Sequence, residues 1–287
     1  MGSIREPTIV ISPDGPNPGP IDRYDTMIRN PLGLRLDPNR PIREQIRQAA
    51  ALGAKGVVLE ASGDLAPHRL GETGRRDLKH QLRSVELALT ALVLPTRRAF
   101  DSLDQLDDRL RRADAVFALA FDLGSRLVLA QAGPVPAEDD APRREAFTQA
   151  VASLGVRADH RGVRLALETG SEPPEVLRAF LDALAHPALA ASLDPPNLLR
   201  SGIDPVAAAT ELHAWIAHAY TGDPMAGGTT LRNPRGVGFP PGALDWEEYV
   251  GALEEIAYHG FLTVWPEPTA DPARLFKAVV DRVSRIS

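Results

Sequence analysis

Eight short apolar runs, separated by longer stretches of helical period, limit what this chain can fold into more than any other feature. From residue 32 onward the runs are LGLRL (32–36), GVVLE (56–60), ALVLP (91–95), RLVLAQ (126–131), VRLALE (163–168), LAASLD (189–194), WIAHAY (215–220) and FLTVW (261–265). Each is near-continuously apolar, as a strand covered on both faces must be. Strands alternating with helical segments in this way specify repeated βα units around a parallel sheet, and eight such units close a barrel. The expected fold is α/β, a single-domain (β/α)8 TIM barrel over residues 32–287. The 287 residues exceed the usual single-domain length, but barrels of about 250 residues fold around one core.

The helical segments carry their own punctuation. Pro41 opens the first and Gly53 follows its last apolar positions. Asp204 with Pro205 starts the sixth, Asp245 with Glu247 and Glu248 the seventh, and Asp271 with Pro272 the eighth, each placing a cap oxygen at the amide-rich end. Two segments break the alternation. Residues 1–31 form an N-terminal arm rich in proline and glycine over 12–31. A long loop from Asp223 to Leu244 follows the seventh strand, on the face where barrel enzymes carry their sites, and is a candidate lid. Its GVGFPPG stretch lacks the spacing of a phosphate-binding turn.

Composition narrows the function. No apolar run approaches the roughly 20 residues that span a bilayer, and the N-terminal apolar run is too short for a signal peptide, so the expected location is cytoplasmic. With no cysteine, any metal must be held by carboxylates, imidazoles and carbonyls. A net charge of −6, with arginines spread over helices, disfavours nucleic acid as a partner.

Alternate strand residues face the barrel interior, and the last inward residue at each carboxyl end meets the ligand. Reading back from the strand ends gives Arg35 or Asp37, Glu60, Thr96 with Arg97 and Arg98, Gln131, Glu168, Asp194, His218 with Tyr220, and Trp265 with nearby Glu267. Glu168 and Asp194 end adjacent strands, so their carboxylates should converge. Like charges in a shielded site raise one another's pKa, and a divalent ion would remove that cost. A lone strand-end carboxylate more often bonds loop amides; a pair on neighbouring strands favours a site. Arg97 and Arg98 are candidates, one of the pair being expected to grip a substrate phosphate or carboxylate, although exposed arginines after a strand are usually solvated or paired with acids. His68, His80, His160, His186, His213 and His259 fall on helices or loops and are assigned no role.

GVRLALETG, SLDPPNLL, the strand-seven histidine and GALDWEEYVGALEEIAYHGFLTV together resemble the xylose isomerase-like barrels of sugar phosphate isomerases and epimerases, a superfamily shared with AP endonuclease family 2. The resemblance covers residues 32–285, and PTRR (95–98), LALETG and LDPPNLL are its most specific pieces. It implies metal-assisted proton transfer on a small sugar or polyol. A glutamate, an aspartate, a histidine and a second glutamate from strands five to eight would bind one divalent ion (Mn, Mg, Co or Zn), and the glutamates would carry the proton through an enediolate. On this chain that assigns Glu168 and Glu267 to catalysis and Glu168, Asp194 and His218 to the metal. Arg35, Glu60, Arg97, Gln131, Asn197, Tyr220 and Trp265 would bind substrate, and Asn197 stands where a substrate-binding histidine is common. A homodimer through barrel-mouth loops is a further implication.

Two positions depart from the pattern. Strand seven reads IAHAYTGD, with Tyr220 where the metal-binding histidine is expected, and strand eight reads LTVWPEP, with Trp265 where the glutamate belongs. His218 shares the parity of Tyr220 but lies roughly 6 to 7 Å deeper. The alternative is a metal-free or catalytically degenerate carbohydrate-binding barrel, with Tyr220 and Trp265 as an aromatic platform. An endonuclease IV-like DNA-repair barrel shares the fold, but it would need many more inward histidines.

Overall fold

The computed structural model describes residues 30–170, 172–221, 244–266 and 271–286. Its eight parallel strands, β1 (Leu32–Arg35), β2 (Gly56–Glu60), β3 (Ala88–Leu94), β4 (Leu127–Ala130), β5 (Arg164–Glu168), β6 (Leu189–Leu193), β7 (Ile216–Thr221) and β8 (Leu262–Val264), close into a barrel in sequence order. The ring is completed where Leu32, Gly33 and Leu34 of β1 pair with Leu262, Thr263 and Val264 of β8.

Around it lie α1 (Ile42–Ala51), α2 (Glu72–Ser84), α3 (Leu106–Leu123), α4 (Ala141–His160), α5 (Pro174–Leu184), α6 (Pro195–Arg200), α7 (Pro205–Glu211), α8 (Trp246–Glu255) and α9 (Pro272–Ile286). The sequence pattern predicts one helix between β6 and β7; the structure has two. The extra one, α6, begins directly at Asp194, whose side chain accepts from the amide of Asn197. Pro195 and Pro196 tolerate this because the first helical positions need no amide donor. Asp204 and Asp245 cap α7 and α8 through the amides of Val206 and Glu248, as their positions suggested. No helix among the described residues is long and apolar enough to cross a membrane.

The apolar interior is divided by the sheet. A large cluster, including Leu34, Val57, Leu59, Phe117, Phe147, Leu165 and Leu253, fills the space between strands and helices. A small one, Val58, Ala91, Val93, Leu129, Ala166, Ala190 and Tyr220, fills the barrel itself. Three alanines in that inner set leave volume for the larger polar side chains that the same strands carry nearer the mouth. At the other end, Asn30 donates to the carbonyls of Tyr258 and Gly260 and the carbonyl of Pro31 accepts from Leu262, tying the described end of the N-terminal arm to β8. Residues 1–29 and the expected lid over 222–243 lie outside the described residues.

Candidate active site

Strand parity assembles the site. Two residues beyond the inner Val58, Leu129 and Ala166 stand Glu60, Gln131 and Glu168; two beyond the buried Ser192 and Thr263 stand Asp194 and Trp265. The result is two stacked polar layers.

The lower layer is a closed triad. His218 Nδ1 lies 2.8 Å from Ser192 Oγ and its Nε2 lies 2.9 Å from Thr263 Oγ1, so both ring nitrogens are engaged. A register shift between Ala191 and Ser192 puts Ser192 beside His218 and makes the first contact possible. Burial, aided by the charge of Arg35, pushes the imidazole pKa down to about 3. His218 is therefore neutral, with a hydroxyl on each side.

The upper layer is built around Arg35. Its Nη1 donates to Tyr220 Oη at 2.8 Å, and the phenol in turn donates to Glu168 Oε1 at 3.0 Å. The same guanidinium nitrogen lies 3.5 Å from Glu168 Oε1, while Nη2 reaches Glu60 Oε2 at 3.4 Å. The guanidinium carbon sits 3.8 Å from the centroid of the Trp265 ring, whose own centroid is 5.2 Å from that of Tyr220. Tyr249 Oη donates to the backbone carbonyl of Tyr220 at 3.0 Å and braces β7 from outside. Burial opposes the charge on Arg35, yet Tyr220, Glu168 and Glu60 outweigh it and keep the guanidinium's pKa above its ordinary value. Beside this layer opens a cavity of about 210 Å³, lined by Arg35, Asp37, Gln45, Glu60, Trp265 and Pro266 among others.

The two carboxylates differ in their surroundings. The Glu168 side chain is only 1% exposed. Burial raises its pKa against the opposing pull of Arg35 and of the hydrogen bond from Tyr220. Its Oε2 has no hydrogen-bond partner among the described residues. Asp194 Oδ1 accepts from the amide of Asn197 at 3.0 Å, while its Oδ2 is buried without a hydrogen-bond partner among the described residues. Burial, with the Glu168 charge adding to it, pushes the Asp194 pKa up to about 7. The charge of Glu168 thus acts on Asp194.

The remaining candidates lie as follows. The Asn197 side-chain amide donates to the carbonyl of Thr169 at 2.8 Å and holds the β5–α5 and β6–α6 turns together. Arg97 is exposed beyond β3, and Arg98 pairs with Asp104 at 3.0 Å on the surface. Glu267 lies outside the described residues. Sequence reading passed over Ser192, Thr263 and Thr169, although the first two share the inward parity of Asp194 and Trp265 and were findable on that ground. It also passed over Glu172, which burial pushes up to about 7.

A divalent ion can be tested against these donors. Two unpartnered carboxylate oxygens, Glu168 Oε2 and Asp194 Oδ2, suit a cation, but the rest of the shell does not follow. Among the described residues no three His, Asp or Glu side chains group as metal ligands. Tyr220, held neutral by a pKa raised well above 10, stands where a ligand is expected, and both nitrogens of His218 are spent below. A guanidinium already lies against Glu168. The described residues do not fit the four-ligand shell that the sequence resemblance implies.

A protein-family model described as "xylose isomerase-like TIM barrel" matches residues 46–283. The 2-epi-5-epi-valiolone 7-phosphate 2-epimerase of Actinoplanes sp. is 32% identical over 196 residues, covering 65% of this chain and 70% of that protein. Among solved structures, a xylose isomerase domain protein from Planctomyces limnophilus aligns with a TM-score of 0.73 at 19% identity, over 89% of this chain and 95% of that one. D-Psicose 3-epimerase from Clostridium cellulolyticum H10 aligns with a TM-score of 0.71 at 16% identity, over 89% and 99%.

Proposed function

This chain belongs to the xylose isomerase-like TIM barrel family, and on that premise we propose that it moves a proton on a small polyhydroxylated carbonyl compound, as an isomerase or epimerase of a sugar, a polyol-derived ketone or a cyclitol, free or phosphorylated. The relative named 2-epi-5-epi-valiolone 7-phosphate 2-epimerase supports including cyclitol ketones and their phosphates beside the ketoses.

One observation carries the reading. Glu168 is a buried carboxylate with one oxygen anchored by Tyr220 and Arg35 and the other uncommitted. Burial raises its proton affinity, which makes it a stronger base than an exposed glutamate. In the proposed step Oε2 takes the proton from the carbon beside the carbonyl, and the C–H electron pair moves into an enediolate. Return of a proton to the other face of that carbon gives the epimer, and return to the neighbouring carbon gives the isomer. Arg35, lining the cavity, supplies positive charge against the developing oxyanion. Glu267 is the proposed second proton carrier.

The test is a panel of ketoses, aldoses, cyclitol ketones and their phosphates incubated with the protein in D2O. Deuterium entering beside the carbonyl, lost in Glu168→Gln, supports proton transfer. A second reading, a carbohydrate-binding barrel without turnover, is favoured by the Arg35, Trp265 and Tyr220 stack across the mouth. Calorimetric binding of a panel member with no exchange of its protons would select that reading.

A further inference from the structure

We infer that the guanidinium of Arg35 is the resident cation of this site, standing in its charge balance where the family pattern puts a divalent metal ion. The inference deepens the proposed function, on which it rests for the identity of the site. Its basis is that the two departures from the expected shell are the two residues that hold Arg35. Tyr220, in place of a histidine, accepts from Nη1 at 2.8 Å; Trp265, in place of a glutamate, offers its ring face 3.8 Å from the guanidinium carbon.

Each substitution alone would only delete a metal ligand. Together they build a seat for an arginine between Glu60 and Glu168. A carboxylate as buried as Glu168 requires a partner of opposite charge, and this one has it within the protein. The phenol relays between them, accepting from the cation and donating to the anion. A single positive charge balances one buried carboxylate and not two. Asp194 accepts from the α6 amide of Asn197 and makes no hydrogen bond to Arg35. A divalent ion placed on the two carboxylates would meet a guanidinium already in contact with one of them.

The experiment is a Mn2+ titration of the full chain, read as the loss of the free aquo-ion EPR signal, together with thermal melts with and without EDTA. Wild type and Arg35→Lys, which keeps the charge, should bind no stoichiometric Mn2+ and should melt unchanged in EDTA. Arg35→Met and the double variant Arg35→Met/Tyr220→His, checked for folding by circular dichroism, should bind Mn2+ at least about tenfold more tightly than wild type once the repulsion is gone. One Mn2+ per wild-type chain, removed by Glu168→Gln with Asp194→Asn, overturns the inference. So does a folded charge-removed variant that binds no better than wild type. If neither charge-removed variant folds, the wild type decides: a melting temperature lowered by EDTA overturns the inference, and an unchanged one supports it. None of these readouts needs a substrate. Metal-free protein without proton exchange therefore sinks the enzymatic reading alone, and exchange by a stoichiometric manganese protein sinks this one alone.

Discussion

The Tyr220 hydroxyl donates a 3.0 Å hydrogen bond to Oε1 of Glu168, tying β7 to β5 across the barrel mouth. Because the Tyr220 hydroxyl oxygen accepts from Arg35, the phenol is oriented by the cation it shields, and both Tyr220 and Arg35 engage Glu168 through Oε1. Tyr220→Phe should cost about 1–3 kcal/mol, since it strips a partner from two buried polar groups. The Tyr220 bond also lowers the Glu168 pKa, so its loss should move the acid limb of any proton-exchange rate to higher pH. Urea unfolding and a pH–rate profile read the two effects; a variant as stable as wild type with an unmoved limb would refute the arrangement.

Asp194 should make the protein less stable as the medium becomes alkaline. Its folded pKa, about 7, lies above its ordinary value, so its contribution is full below about pH 4 and is lost as pH rises through 7. Asp194→Asn keeps an oxygen to accept from the Asn197 amide and removes the ionisation. It should match wild type near pH 4 and exceed it at pH 8, by an amount on the order of a few kcal/mol. Equal urea midpoints at pH 8 would contradict the assignment.

His218 has the opposite sign. Its folded pKa, about 3, lies below the ordinary histidine value of about 6.5, so its contribution is full above about pH 6.5 and is lost as pH falls toward 3. The slope from this residue approaches about 1.4 kcal/mol per pH unit between those limits. His218→Gln should flatten it. Between about pH 4 and 6.5 the Asp194 and His218 slopes oppose one another, so wild-type curves alone mislead; each single variant exposes the other residue.

Gly170 should resist substitution. Its φ of +127° lies in the region that L side chains avoid, and a Cβ there would run into the Asn197 side chain. That side chain is fixed by its bond to Thr169. Gly170→Ala should lower stability by about 1–3 kcal/mol, measured by thermal melting; a neutral result would mean that the β5–α5 turn relaxes freely.

The site was partly legible as a list of residues. Period-two alternation read back from the strand ends named Arg35 or Asp37, Glu60, Thr96 to Arg98, Gln131, Glu168, Asp194, His218, Tyr220, Trp265 and Glu267. Arg35, Asp37, Glu60 and Trp265 line the cavity, Tyr220 packs inside the barrel, Glu168, Asp194 and His218 are buried, Gln131, Arg97 and Arg98 are exposed, and Glu267 lies outside the described residues. What the list lacked was pairing. His218 was a ligand candidate by type and parity, but its engagement on both nitrogens depends on Ser192 from one neighbouring strand and Thr263 from the other. Asn197 was a substrate candidate, and its amide closes a turn instead. Helix α6 escaped because its six residues give too few turns for a period to show.

By itself the sequence determined the barrel and the polarity of its mouth. Apolar runs buried on both faces can be satisfied only between helices and a filled interior, and the last inward residue of each run must then be polar to meet solvent or ligand. Only the tertiary structure decided which of those polar residues hold one another. Arg35 lies at the start of the chain's barrel, Glu168 in its middle and Tyr220 and Trp265 near its end. Strand parity sets the face that each side chain points to; which side chains meet is set by ring closure and strand stagger. Closure of β8 onto β1 brings Trp265 over Arg35, whose guanidinium lies beside Glu168, one of the two residues to which the family resemblance gave a possible metal ion.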